Sequence, residues 1–342
     1  MSSDQPVKLS VCIPTYNRAA FIGGTLENIV SQACEAIEIV VVDGASTDGT
    51  ADIVASFQKR FPNLVYYRGQ CNMGVDRDMA KAVDLARGAY CWLMSSDDLL
   101  KHDAITIMMN EINSGADIYL CNVTLCSSAM QPIRDTKFLS DSRSDNVFDL
   151  CDKNQLQNYL NLATSNNALF CYMSSIVFRR ASWLDVEYNE RFSNTGYAHV
   201  FRLFSFIKKR CLVKYIPSAL VLNRSGNDSF SDKGIEKRYM LDFDGYFLLA
   251  NELFASDPQI KREFLQVMTR EHRWYRLIKL RSAVQTSAWK DITSKLLLFG
   301  YTRRALAVYG FLGRFRSVVN AAVFLNTKYA STFVVRWLRV RL

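Results

Sequence analysis

Two adjacent carboxylates close the most chemically informative stretch of the chain, Ser95-Ser96-Asp97-Asp98, which follows the apolar run Tyr90-Cys91-Trp92-Leu93-Met94. A strand that delivers acids at its C-terminal end builds a hard-oxygen site for a divalent cation, the type of ion that neutralises phosphates. Alone, the pair reads equally well as a helix cap or a solvated turn. Three polar motifs precede it: Pro14-Thr15-Tyr16-Asn17-Arg18, then Asp43-Gly44-Ala45-Ser46-Thr47-Asp48-Gly49-Thr50, then Asn72-Met73-Gly74 with Arg77. Together the four describe a site that handles a nucleotide diphosphate.

Each motif has its own chemistry. Asp43 opens a Gly/Ser/Thr turn where a carboxylate can accept from a base N–H or a ribose hydroxyl. Asp48 in the same turn reads as the cap of the next helix. Thr15, Tyr16 and Asn17, beyond Pro14, supply the wall and polar contact of a base pocket. Arg77 follows Asn72-x-Gly74 and either meets the nucleotide or pairs with Asp76, Asp78 or Asp43. Asp97 and Asp98 share Mg²⁺ or Mn²⁺, with Asp98 as the expected direct ligand and Ser96 beside the donor.

The elements that must position these groups follow from hydrophobic periodicity. Apolar runs at 9–13, 37–42, 64–67 and 90–94 read as buried strands, and helical spacing fills 19–33, 50–60 and 75–87 between them. Strands alternating with helices of this length form βαβ units and a parallel sheet, with ligand loops at the strands' C-terminal ends. Every motif named above falls on that edge. Beyond it, the pattern predicts a helix at 102–113, strands at 117–125, 175–178 and 212–216, a helix at 199–208 and a polar loop at 127–146. From about 232 the chain reads as almost wholly helical, with a break near Gly300. The expected organisation is a catalytic domain at 1–231, split into a nucleotide-binding half at 1–100 and an acceptor half at 101–231. A helical basic extension covers 232–342.

Residues 8 to about 100 resemble the nucleotide-binding half of family 2 glycosyltransferases. The resemblance rests on the motifs quoted above, together with Val11-Cys12-Ile13, Val41-Val42 and Ala86-Arg87-Gly88-Ala89-Tyr90. It implies the GT-A fold, a Rossmann-like α/β architecture with a mostly parallel central sheet flanked by helices. It also implies an inverting transferase that uses a nucleotide-sugar donor, with Asp43 at the base and Asp97/Asp98 at the metal. The chain is similar to bacterial enzymes that glycosylate lipid-linked O-antigen or capsule precursors, including the abequosyltransferase-like group, so a polyprenyl-diphosphate-linked glycan is the implied acceptor. Two departures stand out: Ser95 replaces a usual acid, and Asp78 replaces a frequent Asn. The family's acidic base is also missing from 187–199, which leaves His199 as the first choice of base and Glu190 as the second. Arg224 and Asn227, in the polar segment after 212–216, read as a lid over the diphosphate. These departures keep one alternative open, a non-catalytic nucleotide-sugar-binding scaffold.

Composition sets the wider frame. A charged fraction of 22% and an apolar fraction of 49% exclude a disordered chain. The start carries no charged n-region and no apolar h-region, and nine scattered cysteines without a Cys-x-x-Cys pair fit a reducing cytosol. From Gln259 onward there are 17 Lys+Arg against 3 Asp+Glu. An apolar stripe at Val308, Phe311, Leu312, Phe315, Val319 and Ala322 accompanies that charge, with Arg336, Arg339 and Arg341 near Trp337. The expectation is an in-plane amphipathic helix on the anionic inner face of the plasma membrane, or alternatively a helical subdomain packed on the core. No nucleic-acid recognition motif occurs.

Overall fold

Strand β1 (Leu9–Thr15) is buried along its whole length, as is its neighbour β2 (Ile37–Asp43). Their near-continuous apolar sequences suit strands covered on both faces. The computed structural model describes residues 6–140, 147–227, 234–315 and 320. Helix α1 (Ala19–Val30) links β1 to β2, α2 (Thr50–Arg60) leads to β3 (Leu64–Arg68), and α3 (Val75–Leu85) leads to β4 (Tyr90–Leu93). These four strands lie parallel in the order β3-β2-β1-β4. β1 runs through Pro14 to Thr15 rather than stopping at the proline. Its pairing with β4 ends at Cys12↔Leu93, so the missing N–H of Pro14 breaks no bond on that side.

The remaining strands extend the sheet with mixed polarity. β5 (Leu99–Leu100), α4 (Ala104–Glu111) and β6 (Ile118–Cys126) follow, then β7 (Pro132–Asp135) and β8 (Val147–Asp149). Helix α5 (Lys153–Leu162), β9 (Ile176–Arg179), α6 (Arg180–Leu184), α7 (Ala198–Ser205) and β10 (Leu212–Arg224) complete it. The order continues β4-β9-β6-β10-β5, with β9 antiparallel to both β4 and β6, and β10 parallel to β6. Two expectations change here. The polar stretch after Ser127 contains β7, an exposed edge strand on β6, while 141–146 lie outside the described residues. β10 does not end at Ile216: register shifts between Ile216 and Val221 absorb Pro217 as a bulge, and the strand resumes to Arg224.

A buried polar clamp fixes β1, β2 and β4 in register. Glu38, wholly buried, accepts from Ser10 Oγ at 2.6 Å, and from the Arg87 backbone N–H at 2.5 Å and Nε at 2.8 Å. The Gly88 N–H donates to the same Ser10 hydroxyl at 2.9 Å. Thus Arg87-Gly88, recognised in the sequence only as part of a motif, holds the scaffold rather than a ligand.

The chain divides into two units: Met1–Ala163 with Asn167–Asn227, and Thr164–Asn166 with Asp228–Leu342. The second unit is helical: α8 (Ile235–Phe254), α9 (Pro258–Glu271), α10 (Trp274–Ala283), α11 (Thr286–Leu298) and α12 (Arg303–Leu312). Asp257 caps α9 ahead of Pro258, and Gly300, at φ +98, follows the end of α11. Its core packs Phe243, Tyr246, Phe264, Leu277, Ile292 and Leu296. Among the described residues no helix is long and apolar enough to cross a membrane. Val319, Ala322 and the Arg336–Arg341 cluster lie outside the described residues.

Candidate active site

The C-terminal ends of β1, β2 and β4 bring together Thr15, Asp43 and the 95–98 turn. Thr15 and Asp43 are direct partners in the β1–β2 register. Asp43 is fully buried: its Oδ1 accepts from the Ser46 N–H at 2.8 Å and its Oδ2 from the Tyr66 hydroxyl at 2.7 Å. Thr15 Oγ1 is buried without a partner. Pro14 is buried beside it, and Tyr16 is 42% exposed, which leaves its ring available as a wall.

Asn17 plays a different part from the one its position suggested. Its Oδ1 accepts from the Thr47 N–H at 2.8 Å, and its own N–H donates to Ser46 Oγ at 2.8 Å. It stitches the β1 exit to the turn after β2, in a left-handed conformation with φ 53, which Asn tolerates. Asp48 caps α2 through Thr50 and reaches the Ala19 N–H at 3.0 Å. Asn72 accepts from the Gly74 N–H at 2.9 Å and so closes its own turn.

The two carboxylates after β4 have separate environments. Asp98 is 1% exposed and both its oxygens are occupied. Oδ2 accepts from Tyr172 and from Ser174 Oγ at 2.7 Å, and Oδ1 accepts from the Arg224 N–H at 3.0 Å and Asn223 Nδ2 at 3.4 Å. Burial, then the charge of Asp97, pushes its pKa up to about 6. This corrects the expectation that Asp98 is the direct metal ligand, because its carboxylate is turned into the protein. Asp97 accepts from Ser95 and, at 2.6 Å, from Asn227 Nδ2. Among the described residues it makes no ion pair, so a nearly buried carboxylate is held there by neutral donors alone. From α1, Thr25 Oγ1 donates to the carbonyls of Ser96 and Asp98 at 3.1 and 3.0 Å. Ser96 is itself buried. Asn28 pairs with Leu100 in both directions, which fixes the segment behind the turn.

Arg224 and Asn227 do not stand free over the site. The Arg224 guanidinium donates to the carbonyls of Asp97 (3.0 Å) and Ser128 and lies over the Phe21 ring, with 5.1 Å to the centroid. A direct phosphate contact by Arg224 is therefore replaced by a role in shaping the 97–98 turn. Asn227 bridges Asp97 to Arg18, whose Nη1 donates to Asn227 Oδ1 at 3.0 Å.

The candidate bases also separate. His199, in the first turn of α7, is 3% exposed, its Nε2 lies 3.3 Å from the Cys171 carbonyl, and its Nδ1 is buried without a partner. Burial pushes its pKa down to about 4. An imidazole enclosed in this way meets no acceptor, and His199 is corrected to an interior residue. Glu190 is exposed and pairs with Arg77 Nη2 at 2.6 Å, while Ser193 Oγ donates to the same oxygen at 2.9 Å. Arg77 thus pairs with Glu190, not with Asp76, Asp78 or Asp43, and it lies over the Tyr188 ring. The sequence reading missed Asp76, whose buried carboxylate accepts from the Gly196 and Ala198 N–H groups at 2.8 and 3.2 Å and caps α7. It also missed Tyr66, Tyr172 and Ser174, none of which lies in a motif, while Asn223, read with Arg224 as part of the lid segment, instead bonds Asp98.

A family model described as Glycosyl transferase family 2 matches residues 10–186. The chain belongs to this family. It is 34% identical over 271 residues to abequosyltransferase RfbV of Salmonella typhimurium, a match that covers 78% of this chain and 81% of the relative. Among solved structures it resembles S. aureus TarS 1–349 in complex with UDP-GlcNAc, with a TM-score of 0.59 at 16% identity over 92% of this chain and 91% of that one. It also resembles the mannosyltransferase PcManGT of Pyrobaculum calidifontis in complex with GDP-Man and Mn²⁺, with a TM-score of 0.53 at 14% identity over 96% and 89%. The mixed α/β architecture is accordingly that of GT-A neighbours, and the chain is a glycosyltransferase.

The residues present fit a divalent cation. Asp97 is a hard-oxygen donor without an ionic partner among the described residues, Asp98 adds negative charge behind it, and the Ser95 hydroxyl stands beside it. Among the described residues there is no cluster of three or more His, Cys, Asp or Glu that could hold an ion alone. One carboxylate completed by donor phosphates and water is the usual way Mg²⁺ is held.

Proposed function

We propose that this glycosyltransferase is an inverting, Mg²⁺- or Mn²⁺-dependent enzyme that moves a sugar from a nucleotide-sugar donor to a hydroxyl of a glycan acceptor. The observation that carries this reading is the uncompensated Asp97 carboxylate on the same sheet edge as Asp43 and Thr15. Asp43 and Thr15, walled by Pro14 and Tyr16, receive the nucleoside, and Asp97 with Ser95 would hold the cation at the diphosphate. Bound there, the cation supplies positive charge to the leaving group.

The acceptor hydroxyl attacks the anomeric carbon from the face opposite the diphosphate. A new C–O bond forms, the bond to the phosphate oxygen breaks, and the diphosphate departs with the electron pair. The hydroxyl proton must go to a base, and Glu190 takes that role because its carboxylate is exposed and fixed by Arg77 and Ser193. A polyprenyl-diphosphate-linked glycan at the inner face of the plasma membrane is the acceptor we favour. Leu298, Phe311 and Phe315 are exposed on the helical unit, near Arg303, Arg304 and Arg314, as a membrane-surface contact requires.

Donor turnover measured with Mn²⁺, with EDTA, and in an Asp97→Ala variant tests the reading. Turnover is expected only in the first condition; equal rates in all three would refute it.

A further inference from the structure

The start of α3 and the loop that enters α7 interlock at three points. Asn194 Oδ1 packs against Gly74, where a β-carbon would overlap it. Asp76, 2% exposed, accepts from the Gly196 N–H at 2.8 Å through Oδ2 and from the Ala198 N–H at 3.2 Å through Oδ1. Arg77 Nη2 meets Glu190 Oε2 at 2.6 Å, and its guanidinium lies over the Tyr188 ring with 5.4 Å to the centroid.

Of the three, Asp76 costs the most to build. A carboxylate taken out of water is stable only where donors replace the water. Burial raises the Asp76 pKa above the usual carboxylate value, and the backbone N–H groups of Gly196, Ala198, Thr195 and Asn194 act against that rise. The loop turns these amides inward because Asn194 (φ 62) and Gly196 (φ 76) are left-handed, the kind of turn that makes a concave nest for an anion. Ala198 is the first residue of α7, so the charge also meets the positive end of that helix. Ser193, one residue before the nest, donates to Glu190 at 2.9 Å. The nest is thus tied to the carboxylate that Arg77 holds.

We infer that Asp76 is a positioning residue for Glu190: it seats the 190–198 loop on the first turn of α3 and so fixes where the base stands. The inference rests on Glu190 as the base and deepens that reading. Glu190 opens a three-residue 3₁₀ turn, too short to hold an exposed carboxylate in place by itself. Arg77 fixes its charged end, and Asp76 fixes the backbone that carries it. The same helix start follows the Asn72–Gly74 turn, so that turn and the base loop share one support. A reacting group displaced by about 1 Å costs about 10²-fold in rate, which makes such a support matter to turnover.

Nucleoside diphosphate release from UDP-, GDP-, CDP- and dTDP-hexoses, with Mn²⁺ and water as acceptor, tests this in the full chain. The variants are Asp76→Asn, Glu190→Gln and the two combined. On the donor that wild type turns over fastest, Asp76→Asn is expected to lower kcat about 10- to 100-fold with KM within about threefold. Added to Glu190→Gln, the same change should cost no more than about twofold, because a positioning residue then has nothing left to position. Amide hydrogen exchange across 190–198 should quicken in Asp76→Asn while β1 and β2 stay protected. Gly196→Ala strains the left-handed turn, leaves both carboxylates in place and should reproduce the kcat loss. An unaltered kcat in Asp76→Asn, unchanged exchange, or a full additional loss in the double variant would overturn the inference and leave Glu190 as the base. A wild-type rate in Glu190→Gln would remove the base reading and this inference with it.

Discussion

Replacing Asp78 with asparagine removes a charge that the folded protein holds at a cost. The carboxyl is raised from an ordinary 3.8 to about 6, by burial first and by Asp43 second. Each tenfold change in proton affinity corresponds to about 1.4 kcal/mol, and with solvent screening on its open side the ionised side chain destabilises the fold by about 1–2 kcal/mol at neutral pH. The sign follows from linkage. Because the folded pKa lies above the unfolded one, the native state takes up the proton first as pH falls. Wild-type stability from this group therefore rises between about pH 7 and pH 4. Asparagine has no such dependence. Asp78→Asn should be more stable than wild type by about 1–2 kcal/mol at pH 7.5, with the difference vanishing near pH 4. Asp98, also raised to about 6, titrates in both proteins and cancels in the comparison. Urea unfolding at the two pH values measures the difference from the midpoints. A variant no more stable than wild type at pH 7.5, or an advantage that persists unchanged at pH 4, would show that Asp78 is not an uncompensated buried charge.

Five further substitutions separate scaffold from chemistry. Gly88→Ala places a β-carbon 2.6 Å from Ser10 Oγ, 2.8 Å from Ser10 N and 2.9 Å from the Tyr90 carbonyl oxygen. Two of those atoms are backbone, so a loss of about 1–3 kcal/mol is expected in chemical unfolding. Asp98→Ala strands the Tyr172 and Ser174 hydroxyls and the Arg224 N–H and should cost about 3 kcal/mol. Asp97→Asn should keep the wild-type melting temperature and lose the metal-stimulated part of turnover. Glu190→Gln should lower transfer about 10²- to 10⁴-fold with nucleotide affinity intact, whereas His199→Phe should transfer normally if it folds; the reverse pattern would reinstate His199 as the base.

The nucleotide-binding half was legible because its signals are local. Strands β1 to β4 are short apolar runs, the helices between them carry 3.6-residue periodicity, and the turn residues fall where the strands end. α2 matches its sequence-derived span of 50–60. Legibility fell where long-range pairing decides structure. Ile133 is 60% exposed, so the strand holding it leaves no apolar alternation, and only pairing with β6 reveals it. Pro217 reads as a strand terminator, but parallel pairing with β6 on both sides of the bulge carries β10 on to Arg224. The same extension moves Asn223 and Arg224 from a presumed lid onto a strand end, where both bond Asp98.

The paired acids divide their roles in the turn between β4 and β5. A carboxylate taken out of water must be met by hydrogen-bond donors. Tyr172, Ser174 and the Arg224 N–H provide them for Asp98. Its buried charge in turn holds Asp97 at the edge, through the backbone that Thr25 and Arg224 pin. The division predicts that these neighbours respond differently to a cation. Adding Mn²⁺ together with a nucleoside diphosphate should stabilise wild type and Asp98→Asn alike, because each retains Asp97. Asp97→Asn should show no extra shift from the metal beyond that of nucleotide alone. A metal shift lost in Asp98→Asn but kept in Asp97→Asn would reverse the assignment of the two carboxylates.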